Sequence, residues 1–297
     1  MSAALMMVLA SALFATMGVA VKLASAHYGP DEIVFYRGLT GALLLWAWTR
    51  RRGVTLRTRV PMMHVWRSAV GVTSLVLWFH AFSLLPLATA VTLNYMSSVW
   101  MAAFLIGGAV LVQGQRVDGR LIGSVLAGFA GVVLMLRPSL DREQLWGALS
   151  GLASGMLAAL AYLQVTALGR VGEPEERVVF YFSLGGLAAG AALTTAVGQW
   201  HGHSLRGAAL LLTVGVLATS AQLLLTRAYA VGRPLVNASL QYLGIVFSCI
   251  YGAWLFDDPF EPLTVAGMAL IVSAGIMATL LRRRQLPQAP DDPASEH

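Results

Sequence analysis

Long apolar runs joined by short polar segments make up nearly the whole chain. A membrane-spanning helix needs roughly 20 mostly apolar residues. Ten such runs lie at approximately 2–27, 31–49, 64–85, 87–112, 120–136, 144–168, 177–198, 207–230, 235–256 and 263–281. The pattern predicts an all-α membrane protein with ten transmembrane helices. The remaining segment, 285–297, is polar and rich in proline and aspartate, which is typical of a disordered cytoplasmic tail.

The composition narrows the class of protein further. Of the 297 residues, 57% are hydrophobic and only 11% are charged, a balance outside that of soluble domains. The first run lacks a preceding basic region and contains Lys22, so we interpret it as a retained helix and not as a signal peptide. The loops are short and contain no phosphate-binding GxxxxGK motif, which argues against an ATP-driven pump. We expect no cofactor and no bound metal.

The net charge of +6 comes from arginines beside helix ends, and this position does not favour a nucleic-acid partner. If the loops alternate between membrane faces, most arginines collect on one face, whereas the other face has Arg137, Arg142 and Arg206. The positive-inside rule places the arginine-rich face in the cytoplasm. We therefore expect a multi-pass protein of the bacterial inner membrane with both termini in the cytoplasm.

Two parts of the chain, residues 1–137 and 143–284, each contain five runs and share local sequence patterns. The second and seventh runs open with Pro30-Asp-Glu and Pro174-Glu-Glu, and the fourth and ninth contain Asn94-Tyr95 and Gln241-Tyr242. Because five is odd, the second copy enters the membrane in the opposite sense. Inverted repeats of this kind are typical of transporters, in which the two halves enclose a solute site.

With ten helices, two inverted five-helix repeats and cytoplasmic termini, the chain resembles the EamA-type branch of the drug/metabolite transporter superfamily over essentially its full length. Within that branch it is similar to bacterial amino-acid exporters of the YddG type. The resemblance implies export of aromatic or other neutral amino acids by alternating access through a central cavity. It also implies that helices one to four and six to nine line the cavity, with helices five and ten outside it.

The positions of the acidic residues help to choose between substrates. All of them lie in loops, at helix ends or in the tail. Proton-coupled export of lipophilic cations usually needs a carboxylate within the membrane, so a multidrug carrier is the less favoured alternative. A nucleotide-sugar or phosphorylated-metabolite carrier of the same superfamily is another, and it would need several converging basic groups. The chain has no HExxH pair, carboxylate dyad or convincing serine nucleophile, so we do not expect an enzyme.

Several basic groups do lie within the predicted spans. Lys22, the only lysine, could bind a substrate carboxylate or extend its ammonium group to the interface. Arg37 could form a salt bridge to Asp31 or Glu32 at the helix mouth, and Arg67 lies nearer a helix end. His80 and Arg227 occupy equivalent repeat positions and are candidates for a pair of gating residues, or for structural polar groups.

Aromatic and amide side chains supply the other candidates for solute binding. Trp78 and Trp100 lie deeper than the interfacial tryptophans and could form an aromatic wall for a flat side chain. Hydrogen bonds to an ammonium or carboxylate group could come from Asn94, Tyr95, Tyr162, Gln164, Gln222, Gln241 and Tyr242. The alternative for these polar groups is bonding between helices. The predicted partners are a small solute, an amino acid or similar metabolite, and membrane lipid, with the chain acting as a monomer.

Overall fold

A computed structural model describes residues 1–97, 99–101, 103–104, 107, 119–136, 142–196, 198–231, 240–258 and 261–285. The helices whose two ends both fall within these ranges are α1 (Ala3–Ala24), α2 (Pro30–Arg52), α3 (Pro61–Leu84), α4 (Leu87–Tyr95), α5 (Gly119–Leu136), α6 (Arg142–Arg170), α7 (Glu175–Ala196), α8 (Leu205–Val231), α9 (Leu243–Phe256) and α10 (Pro262–Gln285). Most of them match the predicted runs to within a few residues. Apart from Gln285, which ends α10, the predicted disordered tail falls outside the described residues.

The helices differ in how well their length and apolar composition suit a membrane span. Four segments are long and apolar enough to cross a membrane on these two criteria: Ala3–Ala24, Glu143–Arg170, Glu175–Ala196 and Leu205–Tyr229. Three shorter apolar segments are Ile122–Leu134, Leu243–Phe256 and Pro262–Met277. Many large apolar side chains are also exposed on the outside of the bundle, as a lipid environment requires. The crossing of the membrane by all ten helices stays a prediction.

The ends of α2 illustrate how local sequence sets the helix boundaries. Pro30 occupies the first turn together with Asp31 and Glu32, whose negative charge suits a helix N-terminus. The last turn contains Arg50–Arg52, and Gly53 ends the helix with a φ of 67°, in the left-handed region that favours glycine. Polar signals at both ends therefore delimit an apolar segment.

The fourth and ninth runs are not the uninterrupted helices that the sequence predicts. Helix α4 ends at Tyr95, with a one-residue turn at Met96, and helical residues resume at 97; a similar turn at Tyr242 precedes α9. At Met96 the backbone N–H is shared between the carbonyl oxygens of Thr92 and Leu93, at 3.1 and 3.3 Å. The two turns fall within one residue of matching places in the two halves, and neither is at a proline or glycine that would signal it.

The helices pair mainly across the two halves of the chain. The most extensive contacts are α1 with α8, α2 with α7, α3 with α6, and α5 with α10, and α4 likewise contacts α9. Each helix of one half has a counterpart five positions away in the other half, so that α1 corresponds to α6 and α3 to α8. When counterparts are exchanged, the same set of helix pairs results. Helices α5 and α10 pack chiefly against each other.

Small residues on α6 permit its close approach to α3 and α4. A Cβ atom on Gly147 or Gly151 would lie 2.9 Å from leucine side chains. A Cβ atom on Gly155 would lie 2.5 Å from the carbonyl oxygen of Leu93, which is backbone and cannot easily move. The glycine spacing on this helix is therefore a packing feature.

Candidate solute-binding site

A cavity lies between the two halves, near the middle of the bundle. Its walls come from α1, α2, α3 and α4 of the first half, and from α6, α7, α8 and the residue Gln241 of the second. No residue of α5 or α10 that the structure describes contributes to these walls, as the family resemblance implies. The cavity volume is about 60 Å³, well below the roughly 300 Å³ of typical small-molecule sites. A solute would therefore fit only after the walls move apart.

The cavity brings together part of the set of predicted site residues. Those that line it are Trp78, Asn94, Tyr95, Tyr162, Gln222 and Gln241. Those that lie elsewhere are Lys22, His80, Trp100, Gln164 and Tyr242. Six of the predicted amide and aromatic residues thus converge at one place, whereas the other three, together with the predicted lysine and histidine, lie outside the cavity.

Hydrogen bonds between helices already occupy several of the polar groups on the cavity wall. The Nδ2 atom of Asn94 donates to the Oγ atom of Ser154 at 2.7 Å. Gln241 donates from Nε2 to the hydroxyl of Tyr162 at 3.0 Å and accepts from the hydroxyl of Tyr229 at 3.2 Å. The rings of Tyr162 and Tyr229 stack at 6.1 Å. These groups fix the shape of the wall, and a solute would have to compete for them.

Gln222 is the amide that remains open to a solute. Its side chain lines the cavity and is 7% exposed. Within the part of the chain that the structure describes, its amide group has no hydrogen-bond partner. An amide in this position can both donate to a carboxylate and accept from an ammonium group.

Trp78 and Trp100 have different surroundings. The indole Nε1 of Trp78 donates to the carbonyl oxygen of Ala90 at 3.1 Å, and its ring lies 5.0 Å from that of Phe82. Trp78 thus presents a fixed ring to the cavity. Trp100 packs instead against Phe129 of α5, with ring centroids 4.9 Å apart. The structure therefore separates the two tryptophans that the sequence analysis grouped as one aromatic wall.

Lys22 neither reaches the cavity nor extends freely to the interface. Its Nζ atom lies 3.3 Å from Oδ1 of Asp258 and 4.6 Å from the ring centroid of Phe256. The same carboxylate accepts the backbone N–H of Leu87 at 3.0 Å. One acidic group from the second half therefore joins α1 to the first turn of α4.

The other predicted residues outside the cavity are each held in a different setting. His80 is half-buried near the end of α3. Gln164 is partly buried on α6, with a side-chain oxygen that has no hydrogen-bond partner among the described residues. The hydroxyl of Tyr242 lies against Gly275 of α10, where any larger residue would clash with it.

Two arginines on the cavity wall are more deeply buried than their predicted positions toward the helix ends suggest. Arg37 and Arg67 are each 4% exposed, and both line the cavity. Their guanidinium carbons lie 5.0 and 4.1 Å from the ring centroid of Phe182. Phe182 was not among the predicted site residues, because an apolar ring in an apolar run gives no signal of its own.

The expected salt bridge from Arg37 to Asp31 or Glu32 is not formed. Glu32 lies five residues before Arg37, about 140° around an α-helix, so the two side chains face different directions. The carboxylate of Glu32 instead lies 2.8 Å from Nδ1 of His201 in the loop after α7. No acidic residue lies three or four positions from Arg37 in the sequence, so the sequence offered it no ionic partner on its own helix face.

Polar contacts also join the two halves at the arginine-rich end of the bundle. Glu173, in the loop before α7, accepts from the hydroxyl of Thr58 at 2.9 Å and from Arg177 at 3.0 Å. His64 of α3 lies 3.2 Å from the same carboxylate. Burial alone would raise the pKa of Glu173, but these hydrogen bonds outweigh it and lower the pKa.

Comparisons with known proteins agree with this architecture. Residues 1–137 match the model of the EamA-like transporter family. The chain is 35% identical over 281 residues to the pseudopaline exporter CntI of Pseudomonas aeruginosa, covering 93% of this chain and 95% of that protein. It is 30% identical over 241 residues to a riboflavin transporter of Rhizobium johnstonii, covering 78% and 75%. A crystal structure with 20% sequence identity shares the fold, with a TM-score of 0.67 over 95% of this chain and 98% of the other.

Proposed function

Because the chain belongs to the EamA-like transporter family, we propose that it exports a small carboxylate-bearing metabolite, an amino acid or a derivative of one, through the cavity between its halves. The observation that carries this proposal is the convergence of guanidinium, amide and aromatic groups on one cavity that contains no carboxylate among its described lining residues. Such a wall suits an acid with an apolar or aromatic part. It does not suit a lipophilic cation.

Alternating access is the mechanism that the helix pairing supports. The exchange of helices between halves leaves the pattern of contacts unchanged, as expected if the halves are inverted five-helix repeats spanning the membrane ten times. Such a bundle can open first at one end and then at the other. The small cavity volume of about 60 Å³ means that these movements would also have to separate the walls before a solute is held. We further propose that the monomer is the functional unit.

The direction of transport and the aromatic preference rest on different grounds. Export is suggested by the similarity to the pseudopaline exporter CntI. The arginine-rich end then faces the cytoplasm of a bacterial cell by the positive-inside rule. Aromatic amino acids are candidate solutes because the rings of Phe14 and Trp78 border the cavity and can pack against a flat side chain.

Transport assays in proteoliposomes test this function. Labelled phenylalanine, tryptophan, glutamate and riboflavin, together with a lipophilic cation, would be measured by exchange against the same unlabelled compound, with and without a pH gradient. We expect exchange of one or more of the three amino acids, and none of riboflavin, which has no carboxylate, or of the cation. Strong cation transport with every carboxylate-bearing compound inert would refute the proposal. Protein-free liposomes and the Gln222→Leu variant provide the controls for leakage and for passage through this cavity.

A further inference from the structure

Two buried positive charges share a single aromatic ring on the cavity wall. Arg37 comes from α2, Arg67 from α3 and Phe182 from α7, so three helices from both halves meet here. The two guanidinium carbons lie 5.0 and 4.1 Å from the same ring centroid. They are therefore no more than about 9 Å apart. Contact with the ring face stabilises each cation but supplies no oxygen acceptor for its N–H groups.

Neither arginine has an anionic partner in the described part of the chain. The Nε atoms of both residues, and Nη1 of Arg67, are buried without a hydrogen-bond partner. The described lining of the cavity contains no aspartate or glutamate. Arg177 shows the ordinary arrangement, since it donates to the carboxylate of Glu173 at 3.0 Å. Burial of a cation without such a partner costs desolvation free energy. The two arginines on the wall are therefore best explained by an anion that binds there during transport and then dissociates.

The local packing is shaped around the guanidinium of Arg67. Gly71 lies one helical turn after it on α3, and a Cβ atom there would collide with Nη1 of Arg67. The same Cβ atom would lie 3.1 Å from the ring of Phe182. Because the atom in the way is the end of a flexible side chain, an alanine at this position would displace the guanidinium and leave the backbone in place.

We propose that Arg37 and Arg67 form a two-arginine site that binds two negative charges on the transported solute, supplied by two carboxylates or by one phosphate. This inference rests on the proposed transport function and narrows its substrate to acidic metabolites. A neutral amino acid would satisfy one guanidinium with its carboxylate. Its ammonium group would then lie close to the second cation, in a cavity with little water to screen the repulsion. A dianion neutralises both arginines, and each guanidinium can hold an oxygen pair in bidentate fashion.

Substrate charge and arginine substitution are tested together in proteoliposomes. Uptake of labelled succinate, glycerol 3-phosphate and glutamine would be measured for the full chain, each by exchange against the same unlabelled compound. We expect the half-saturating concentration for uptake of one of the dianions to be at least about tenfold lower than that for glutamine. Arg37→Gln and Arg67→Gln should each weaken dianion uptake by about 30-fold or more, since each leaves one ligand charge unpaired. The glutamine signal should change much less.

Three further variants separate a binding role from a structural one. Gly71→Ala keeps both charges but moves one guanidinium, so it should impair dianion uptake at normal protein abundance. Arg67→Lys retains the charge without the bidentate geometry, and it should restore part of the activity that Arg67→Gln loses. Arg52→Gln is the matched control, because Arg52 also lies over an aromatic ring, that of Trp48 at 4.3 Å, but is exposed and outside the cavity. It should behave as wild type.

The possible outcomes distinguish this inference from the proposed function. Uptake of succinate or of glycerol 3-phosphate, lost in the arginine variants, supports the site and identifies which group supplies the charge. Uptake of glutamine as efficient as that of both dianions, and unchanged in Arg67→Gln and Gly71→Ala, overturns the site while transport itself stands. If the wild-type protein transports none of these three compounds and none of the compounds named under the proposed function, both the proposed function and the site are overturned.

Discussion

The contact between Lys22 and Asp258 offers a direct test of how the halves are held together. Their charged groups are 3.3 Å apart, and the side chains are 19% and 17% exposed. This degree of burial lies between that of surface pairs and that of fully buried pairs, so we expect a coupling free energy of about 1–2 kcal/mol. Asp258 also accepts the N–H of Leu87 in the first turn of α4, a capping interaction worth about 1 kcal/mol.

Substitutions can separate the two contributions. Asp258→Asn removes the charge but keeps an oxygen that can accept from Leu87, whereas Asp258→Ala removes both interactions. Lys22→Met removes the cation at similar side-chain length. We expect Asp258→Asn and Lys22→Met each to lower the Tm of the purified protein by a few degrees. Asp258→Ala should lower it further, and the Lys22→Met/Asp258→Asn double variant should be no worse than the more damaging single variant.

The assay is thermal unfolding of the purified protein in detergent, carried through a full double-mutant cycle. Asp257→Asn is the matched control, since Asp257 is exposed and has a φ of 51°, a conformation that asparagine tolerates well. It should leave the Tm unchanged. Strictly additive effects of Lys22→Met and Asp258→Asn would refute the coupling. An Asp258→Ala variant as stable as Asp258→Asn would refute the capping role.

Three other predictions follow from packing, from an open amide and from a titrating carboxyl. Gly155→Ala should destabilise the protein by about 1–3 kcal/mol, because its methyl group would press on the carbonyl oxygen of Leu93. Gly169→Ala on the same helix has open space around it and should leave the stability unchanged. Equal Tm values for the two variants would contradict this packing. Gln222→Leu should reduce solute exchange in proteoliposomes without lowering the Tm, and an unchanged exchange rate would remove Gln222 from the site. The lowered pKa of Glu173 means that its ionised form stabilises the fold above the ordinary carboxyl value of 4.5, and that this contribution is lost as pH falls through the lowered value. Glu173→Gln should therefore lower the Tm at pH 7 and flatten its fall on acidification, and parallel curves for the two proteins would contradict this.

The sequence predicted the helices well because apolar length and end signals are local properties. Proline and acids mark the start of α2, and Gly53 marks its end. The tightened turns at Met96 and Tyr242 escaped prediction because no residue there has an unusual backbone preference. At the first turn the backbone carbonyl groups of Leu93 and Asn94 lie close to Gly155 of α6, a contact between helices that the local sequence does not reveal.

The candidate site was predicted only in part, since hydropathy does not tell which face of an apolar helix points inward. Trp78, Gln222 and Gln241 do line the cavity, as their polar or aromatic character suggested. Lys22 was predicted either to bind a solute or to extend to the interface, and its contact with Asp258 could not be foreseen because Asp258 lies 236 positions away in the sequence. Phe182 and the two arginines around it could be recognised as a group only once three helices were placed together.

The pairing of each helix with a partner from the opposite half has a consequence for how the protein is made. The strongest contacts of α1, α2 and α3 are with α8, α7 and α6, so the first five helices leave the ribosome long before their neighbours exist. Until then their polar groups, including two buried arginines, lie in the lipid or at the insertion machinery without the contacts that the second half later supplies. Gene fragments that encode the two halves separately should accumulate poorly alone, yet assemble when produced together in one cell.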